Sequence, residues 1–377
     1  MTRHFSLTPQ DAWFFRDGRP YNHKESNQAD VESAFPPNAR TLTGAIRAAL
    51  ARANGWRGRG PWTEALNRDL GAGPNDLGKL QFSGPFLLKC GEALWPLPSH
   101  ILGKHDKGGP WKPNALLRPS ASLLETDRGW LNLPEIATVA GENGGLKSGS
   151  GSWITTAGLG EVLAGKPPSA SAVVAPGELW RTEARVGFRR DEQTLQIGEG
   201  DLYSPSYIRL ARNTALGLGL EGLPAEMAGP PGLFPLGGES RLARCESLTT
   251  APLPKAPSPD RFAPNPDGRV EFTIILLTPG RFQNLEQELP GARVVSACFG
   301  KPAYLGGWDS LANEPLPLEP FHPAGSVWFC DAPVEGFRTG ALIQHGRWIG
   351  EHSRHGYGQI VIGRWPAPSN SDSDHKP

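Results

Sequence analysis

The sequence predicts an α+β fold dominated by strands and loops, and three observations lead there. Its 377 residues include 47 glycines and 38 prolines, which helices tolerate poorly in their interiors. Only one stretch, from Leu42 to Ala53, has a strong helical period. Elsewhere apolar residues alternate, as from Trp180 to Phe188, or form short unbroken runs such as VEFTIILLT from Val270 to Thr278.

In chain order, His4 to Leu7 is a candidate first strand, followed by the loop DAWFFRDGRPY and the helix. Leu42, Ile46, Ala49, Leu50 and Ala53 share one arc at about 100° per residue, with Asn38 or Thr41 as N-cap. The opposite face carries Arg40, Gly44 and Arg47, so an exposed stripe with two guanidinium groups is expected. Lys79 to Pro96 reads as a hairpin turning near Cys90 and Gly91. Leu97 to Gly177 reads as a loop-rich insertion, broken by a helix over Thr156 to Leu163. Then Trp180, Thr182, Ala184, Val186 and Phe188 alternate with a polar face holding Arg181, Glu183 and Arg185. Further strands are expected over Leu202 to Leu210, Ala215 to Glu221 and Arg241 to Leu248. Ala251 to Gly268 carries six prolines and reads as a linker, and the Val270 run after it reads as a buried central strand. The expected domains are therefore 1–250, with its insertion at about 97–177, and 269–365. The tail 366–377 has the composition of disorder.

Composition narrows the function classes. Cys90, Cys245, Cys298 and Cys330 lie far apart without a CxxC pair, which argues for reduced thiols in a cytoplasmic protein and against a zinc site or disulfide framework. No basic segment precedes an apolar run at the start, and no run approaches the roughly 18 apolar residues a membrane span needs. A formal net charge of zero counts against nucleic-acid binding, but Arg40, Arg47, Arg52, Arg57 and Arg59 follow one another with no acidic residue between them. Four more arginines crowd Arg181 to Arg190, offset by one glutamate.

Two glycine-centred motifs precede expected strands: LGGESR at Leu236 to Arg241 and HGYGQIVIG at His355 to Gly363. Glycine there permits positive φ, and exposed N–H groups in such a turn suit phosphate. The segment Trp13 to Leu50 contains an aromatic-RDGRP loop, a Phe-Pro-Pro step and a T-x-x-GAIR helix. It resembles the opening of the third subunit of the Cmr module, the type III-B CRISPR effector RAMP protein. ELWRTEARVGFRRDEQTLQIGEGDLYS, from Glu178 to Ser204, is similar to that family's central block. LGGESR, YLGGW at Tyr304 to Trp308 and HPAGSVWF at His322 to Phe329 resemble its later segments, in the same order.

The resemblance implies two ferredoxin-like, RRM-like RAMP folds in tandem; the large loop-rich insertion in the first, Leu97 to Gly177, and the tail lie outside it. It further implies a subunit that holds the 5′ repeat-derived tag of crRNA and docks the large Palm-domain subunit and a neighbouring RAMP backbone subunit, with no cofactor. The residues expected to meet RNA are Arg16, Arg19, Arg40, Thr43, Arg47, Arg181, Arg185 and Arg241, with Gly237, Gly238, Gly356, Tyr357 and Gly358 of the glycine loops. Phe14, Phe15 and Tyr21 are further candidates for stacking on bases.

The competing reading is a metal-independent RAMP endoribonuclease that processes pre-crRNA, with its acid and base among His23, His345, His352 and His355. The RDGRP and GAIR opening counts against it. A carbohydrate-binding β-protein, suggested by 12 tryptophans, fits neither the arginine distribution nor the absence of a secretion signal. The three late histidines lack the spacing of a metal site, so no catalytic or metal residue is expected.

Overall fold

The computed structural model describes residues 2–16, 30–31, 33–105, 109–127, 129–139, 144–188, 202–249 and 253–367. The chain forms two compact units, each assembled from separate stretches of sequence. The first comprises Met1–Gly91, Gly177–Ala251 and Tyr304–Glu319; the second comprises Glu92–Pro176, Pro252–Ala303 and Pro320–Pro377.

Antiparallel strands of the first unit lie in the order Gln81–Lys89, Thr214–Glu221, Arg3–Pro9, Leu242–Leu248, Leu233–Pro235. Numbered in chain order, the first four are arranged 2-3-1-4. Thr214–Glu221 is buried over almost its whole length, and its alternating glycines make that possible: a Cβ on Gly217 would lie 2.1 Å from the Phe86 ring. Helix Ala39–Ala53 begins where the Asn38 side chain accepts a hydrogen bond from the Arg40 amide at 3.0 Å. Leu42, Ile46, Ala49 and Leu50 are buried as the period predicts, whereas Ala53 is exposed. A hairpin of Ala303–Asp309 and Glu314–Phe321 contributes its residues 304–319 to this unit, and Asn38 Nδ2 donates to Gly306 O at 2.6 Å.

In the second unit the order is Arg293–Cys298, Val327–Pro333, Arg269–Leu276, Ile360–Arg364, all antiparallel and again 2-3-1-4 in chain order. Arg269–Leu276 is the central strand that its sequence predicts. Val270, Phe272, Ile274 and Leu276 join one core with Trp328, Cys330, Ile360 and Ile362, while Thr273 and Ile275 are buried as well. The described part of the Pro-rich stretch holds a single 3-10 turn, Pro259–Arg261.

Residues 97–177 depart from their expected irregularity. Helix Thr156–Leu163 is present, with the Thr155 hydroxyl accepting from Gly158 N at 3.1 Å. Around it, Ile101–His105, Trp111–Pro119 and Pro134–Val139 form an antiparallel sheet edged by Lys147–Ser148, and Leu124–Thr126 pairs with Gly129–Leu131. Register shifts at Leu102/Gly103 and Leu116/Leu117 interrupt the alternation by which strands are recognised. In sequence this segment lies between the strands Gln81–Lys89 and Thr214–Glu221 of the first unit, yet residues 92–176 belong to the second. Among the described residues no helix is long and apolar enough to cross a membrane.

Candidate nucleic-acid interface

Strand Trp180–Ala184 runs antiparallel to Leu202–Leu210, with Arg181 opposite Arg209 and Glu183 opposite Tyr207. Directly opposed residues project from the same sheet face, so this pairing gathers charged side chains separated by more than twenty residues. They form a closed ring. Asp11 Oδ2 accepts from Arg185 at 3.0 Å and Asp11 Oδ1 from Arg209 at 2.9 Å. Glu183 completes the ring, accepting from Arg185 at 2.6 Å through one oxygen and from Arg209 Nε through the other. Arg241 reaches Asp11 from the glycine loop at 3.5 Å.

Tyr207 lies beneath two of these arginines: its ring centroid is 4.4 Å from Arg241 Cζ and 4.8 Å from Arg185 Cζ. The ring is 3% exposed, tilts against Phe14 at 5.7 Å, and its hydroxyl donates to Glu239. Burial, then this hydrogen bond, raises its pKa above the usual phenol value. The Arg185 and Arg209 hydrogen bonds hold the Asp11 carboxyl below the ordinary carboxylate range, and those from Arg209 and Arg185 do the same for Glu183. Three guanidinium groups therefore meet two carboxylates in an array that stays partly open to solvent, with side-chain exposures of 34% for Arg185 and 44% for Arg209. Arg181 stands exposed on the same strand without an ion pair among the described residues.

Of the residues expected from sequence, Arg185 and Arg241 are thus brought together and Arg181 lies on the strand beside them. The stripe on the helix is not an exposed one. Arg47 is only 8% exposed; its Nε, Nη1 and Nη2 donate to Leu70 O at 2.7 Å, Gly73 O at 2.9 Å and Gly71 O at 2.6 Å. Those carbonyls close helix Glu64–Leu70 and the turn after it, where acceptors lack intrahelical partners. Burial pushes the Arg47 pKa down to about 10, which leaves it charged at neutral pH. The Arg40 side chain is 8% exposed and lies 3.3 Å from Glu319, and the buried Thr43 hydroxyl donates to Arg40 O at 3.1 Å. All three side chains make contacts within the fold, and the periodicity of one helix cannot register what loops and the later hairpin bring to its other face.

The glycine loops are packed rather than open. Gly238 N donates to Phe14 O at 2.8 Å, and a Cβ on Gly237 would lie 2.5 Å from that same oxygen. Gly358 N donates to Pro279 O at 2.8 Å, Gly356 N to Ser353 O at 2.9 Å, and Gly356 O accepts from Thr278 Oγ1 at 2.7 Å. Tyr357 is 1% exposed against Phe321, 4.8 Å between centroids, so it cannot stack on a base, and Phe15 is likewise buried. Arg16 is exposed and bridges to Ser33 through its backbone. Arg19, Tyr21, His23 and the tail from 368 lie outside the described residues. Asp11, Tyr207, Arg209 and Glu239 are the members that sequence reading missed, whereas Glu183 lies on the expected polar face between Arg181 and Arg185. The alternation Tyr207, Arg209 on the expected strand was the available signal.

Fold and cluster together define a strand-rich α+β protein that presents a tyrosine-backed arginine array on one sheet. Residues 5–365 match the family described as CRISPR-associated protein (Cas_Cmr3), and the chain belongs to that family. It is thus a subunit of the Cmr module, the family whose motifs are legible from Trp13 onward. A chain of the type III-B Cmr-beta complex bound to cognate target RNA and AMPPnP is 15% identical, with 86% of each chain covered and a TM-score of 0.47. A chain of Cmr-beta bound to cognate target RNA is 14% identical, with the same coverage and a TM-score of 0.46. One from the Csm3-Csm4 subcomplex of the type III-A CRISPR-Cas interference complex is 10% identical, with 86% of this chain and 92% of that chain covered and a TM-score of 0.40. No curated protein matches the sequence.

Proposed function

We propose that the protein is a non-catalytic, RNA-binding scaffold subunit of a cytoplasmic type III-B CRISPR effector complex. In this reading it holds the 5′ repeat-derived tag of the crRNA and docks the large Palm-domain subunit and a RAMP neighbour. The observation that carries it is the array of Arg185, Arg209 and Arg241 around Tyr207, with Arg181 beside it. Carboxylate and phosphate oxygens accept from guanidinium in the same geometry. Asp11 and Glu183 hold the arginines where phosphate oxygens of RNA replace them. The recurrent 2-3-1-4 strand order supports the tandem ferredoxin-like architecture, in which two such sheets each come from a βαββαβ unit.

The same reading makes the chain inert toward RNA by itself. Support comes from His345, whose Nε2 faces Pro254 O at 3.0 Å while its Nδ1 accepts from Ile362 N at 3.0 Å, leaving neither nitrogen for proton transfer. The test is to purify the assembled complex with wild-type protein and with Arg185→Ala/Arg209→Ala. Bound small RNA with a constant 5′ end, depleted in the variant, is the expected result. Equal RNA in both, or RNA shortened by the isolated chain, overturns it.

A further inference from the structure

Arg52, Arg57 and Arg59 take no part in the cluster around Tyr207. Arg57 and Arg59 belong to the connection between helices Ala39–Ala53 and Glu64–Leu70, which reads NGWRGRGPWT from Asn54 to Thr63, and Arg52 stands in the last turn of the first helix beside it. Its shape is fixed from within. Gly55, Gly58 and Gly60 have φ of 98°, 84° and 76°, a left-handed region that glycine enters without steric cost. Trp56 Nε1 donates to Arg59 O at 3.1 Å and Gly60 O at 3.0 Å, tying the loop to itself. Asn54 ties it to the rest of the unit: Nδ2 donates to Leu50 O at 2.8 Å and Ala228 O at 3.1 Å, and Oδ1 accepts from Ala228 N at 3.0 Å.

Two half-buried indoles floor the loop. Trp56 and Trp62 meet edge to face at 6.0 Å; Arg52 covers Trp56 and the buried Arg47 covers Trp62, each at 5.4 Å. Arg52, Arg57 and Arg59 are exposed, and among the described residues no carboxylate lies within ion-pair distance of any of them. The nearest acidic residue in sequence is Glu64, in the first turn of the following helix. The contrast with Arg185, Arg209 and Arg241, each paired to Asp11, is complete.

We propose that this loop is a second RNA contact, one that grips the phosphate backbone of a single-stranded segment through Arg57 and Arg59, with Arg52 beside them. The proposal rests on the reading of the chain as an RNA-binding subunit. The loop backbone is preformed, so binding costs only the ordering of exposed side chains, and Arg57 and Arg59, unlike Arg185 and Arg209, displace no intramolecular carboxylate among the described residues. Half-buried aromatic surface beside the arginines suits a nucleic acid, whose bases are themselves aromatic, better than an acidic peptide. Contact through phosphates makes the site indifferent to base sequence.

The test uses the full chain and a fluorescein-labelled single-stranded RNA, with anisotropy titrations at several salt concentrations. In Arg57→Ala/Arg59→Ala the magnitude of the log-log salt slope is expected to fall by about 1.4, two phosphates at ~0.7 each, with affinity down on the order of tenfold near 0.1 M salt. A second RNA of unrelated sequence should show the same loss, and thermal melting should match the wild type. Wild-type affinity and slope in the variant, while Arg185→Ala/Arg209→Ala binds less, overturn the loop proposal alone. Retained RNA binding with lost association to other complex subunits overturns it in favour of a protein contact. No RNA binding by the wild type, free or in the complex, sinks the RNA-binding reading and this proposal together.

Discussion

Asp11 and Arg185, separated by 174 residues in the chain, meet at 3.0 Å, and the same carboxylate takes Arg209 on its other oxygen. One short acidic side chain from the first loop thus bridges and orients Arg209 of strand Leu202–Leu210 and Arg185, the residue after strand Trp180–Ala184. Surface ion pairs of this exposure contribute little to stability. The consequence lies in binding: the free subunit has its arginines aligned, but an incoming phosphate must displace a carboxylate.

Asp11→Asn is therefore expected to bind single-stranded RNA more tightly than the wild type, because Arg185, Arg209 and Arg241 lose a competing charge while Glu183 still orients two of them. The log-log salt slope should steepen, by about 0.7 for each additional phosphate neutralised. Anisotropy titrations measure both quantities. Equal or weaker binding would show that the aligned arginines do not face RNA.

Arg47→Ala tests the correction on the helix. Removing the guanidinium leaves the carbonyls of Leu70, Gly71 and Gly73 without their donor, two of them in buried hydrogen bonds. The expected loss is roughly 2–4 kcal/mol, since each bond to a charged donor is worth about 1.5–3 and relaxation recovers part of it. Urea unfolding reads the loss, and because Arg47 also packs on Trp62 under the loop Asn54–Thr63, RNA affinity per folded molecule should fall by less than in Arg57→Ala/Arg59→Ala. A stable variant with weak RNA binding would return Arg47 to the interface.

This helix also shows what the sequence carries and what it cannot. The period of Leu42, Ile46, Ala49 and Leu50 reports the buried arc because the core is a local consequence of 3.6 residues per turn. Arg47 is buried by carbonyls that lie 23 to 26 residues further along, and Arg40 pairs with a carboxylate 279 residues away. No local pattern encodes such partners. Arg185 and Arg241 were legible as arginines next to strand and glycine signals, but Asp11 and Tyr207 acquire their meaning only when distant strands pair. The central strand Arg269–Leu276 was legible because burial on both faces needs an unbroken apolar run. The bulged strands around Ile101 and Trp111 were not, because each register shift resets the alternation.

His100 makes stability depend on pH. It is 1% exposed, edge-on to Phe329 at 5.9 Å, and burial pushes its pKa down to about 3. The unfolded chain takes up a proton below an ordinary value near ~6.5, whereas the folded chain does so only near the lowered value. Its contribution is thus complete above ~6.5 and lost as pH falls toward the folded value, about 2 kcal/mol between pH 7 and 5. His345, lowered chiefly by burial, acts in the same direction. Urea midpoints at the two pH values should separate for the wild type and draw closer in His100→Phe. An equal separation in both proteins would assign the acid sensitivity elsewhere.

The glycine loops separate packing at the cluster from packing far from it. On Gly358, with φ +73°, an added Cβ would sit 2.0 Å from Ile349 O. A backbone atom cannot turn aside as a side chain does, so Gly358→Ala should cost more than the ~1 kcal/mol of an unopposed left-handed alanine. The strain falls in the second unit, and RNA affinity per folded molecule should stay at the wild-type value. Gly238 has no positive φ, and its added Cβ would meet the Phe14 ring at 2.7 Å. That ring can move, but it rests on Tyr207, the platform under Arg185 and Arg241. Gly238→Ala should therefore melt closer to the wild type than Gly358→Ala and yet bind RNA more weakly. Melting curves and RNA titrations on the same preparations give both numbers for each variant. If affinity instead follows melting temperature through the pair, the Phe14–Tyr207 contact does not govern the arginine array, and RNA is gripped away from it.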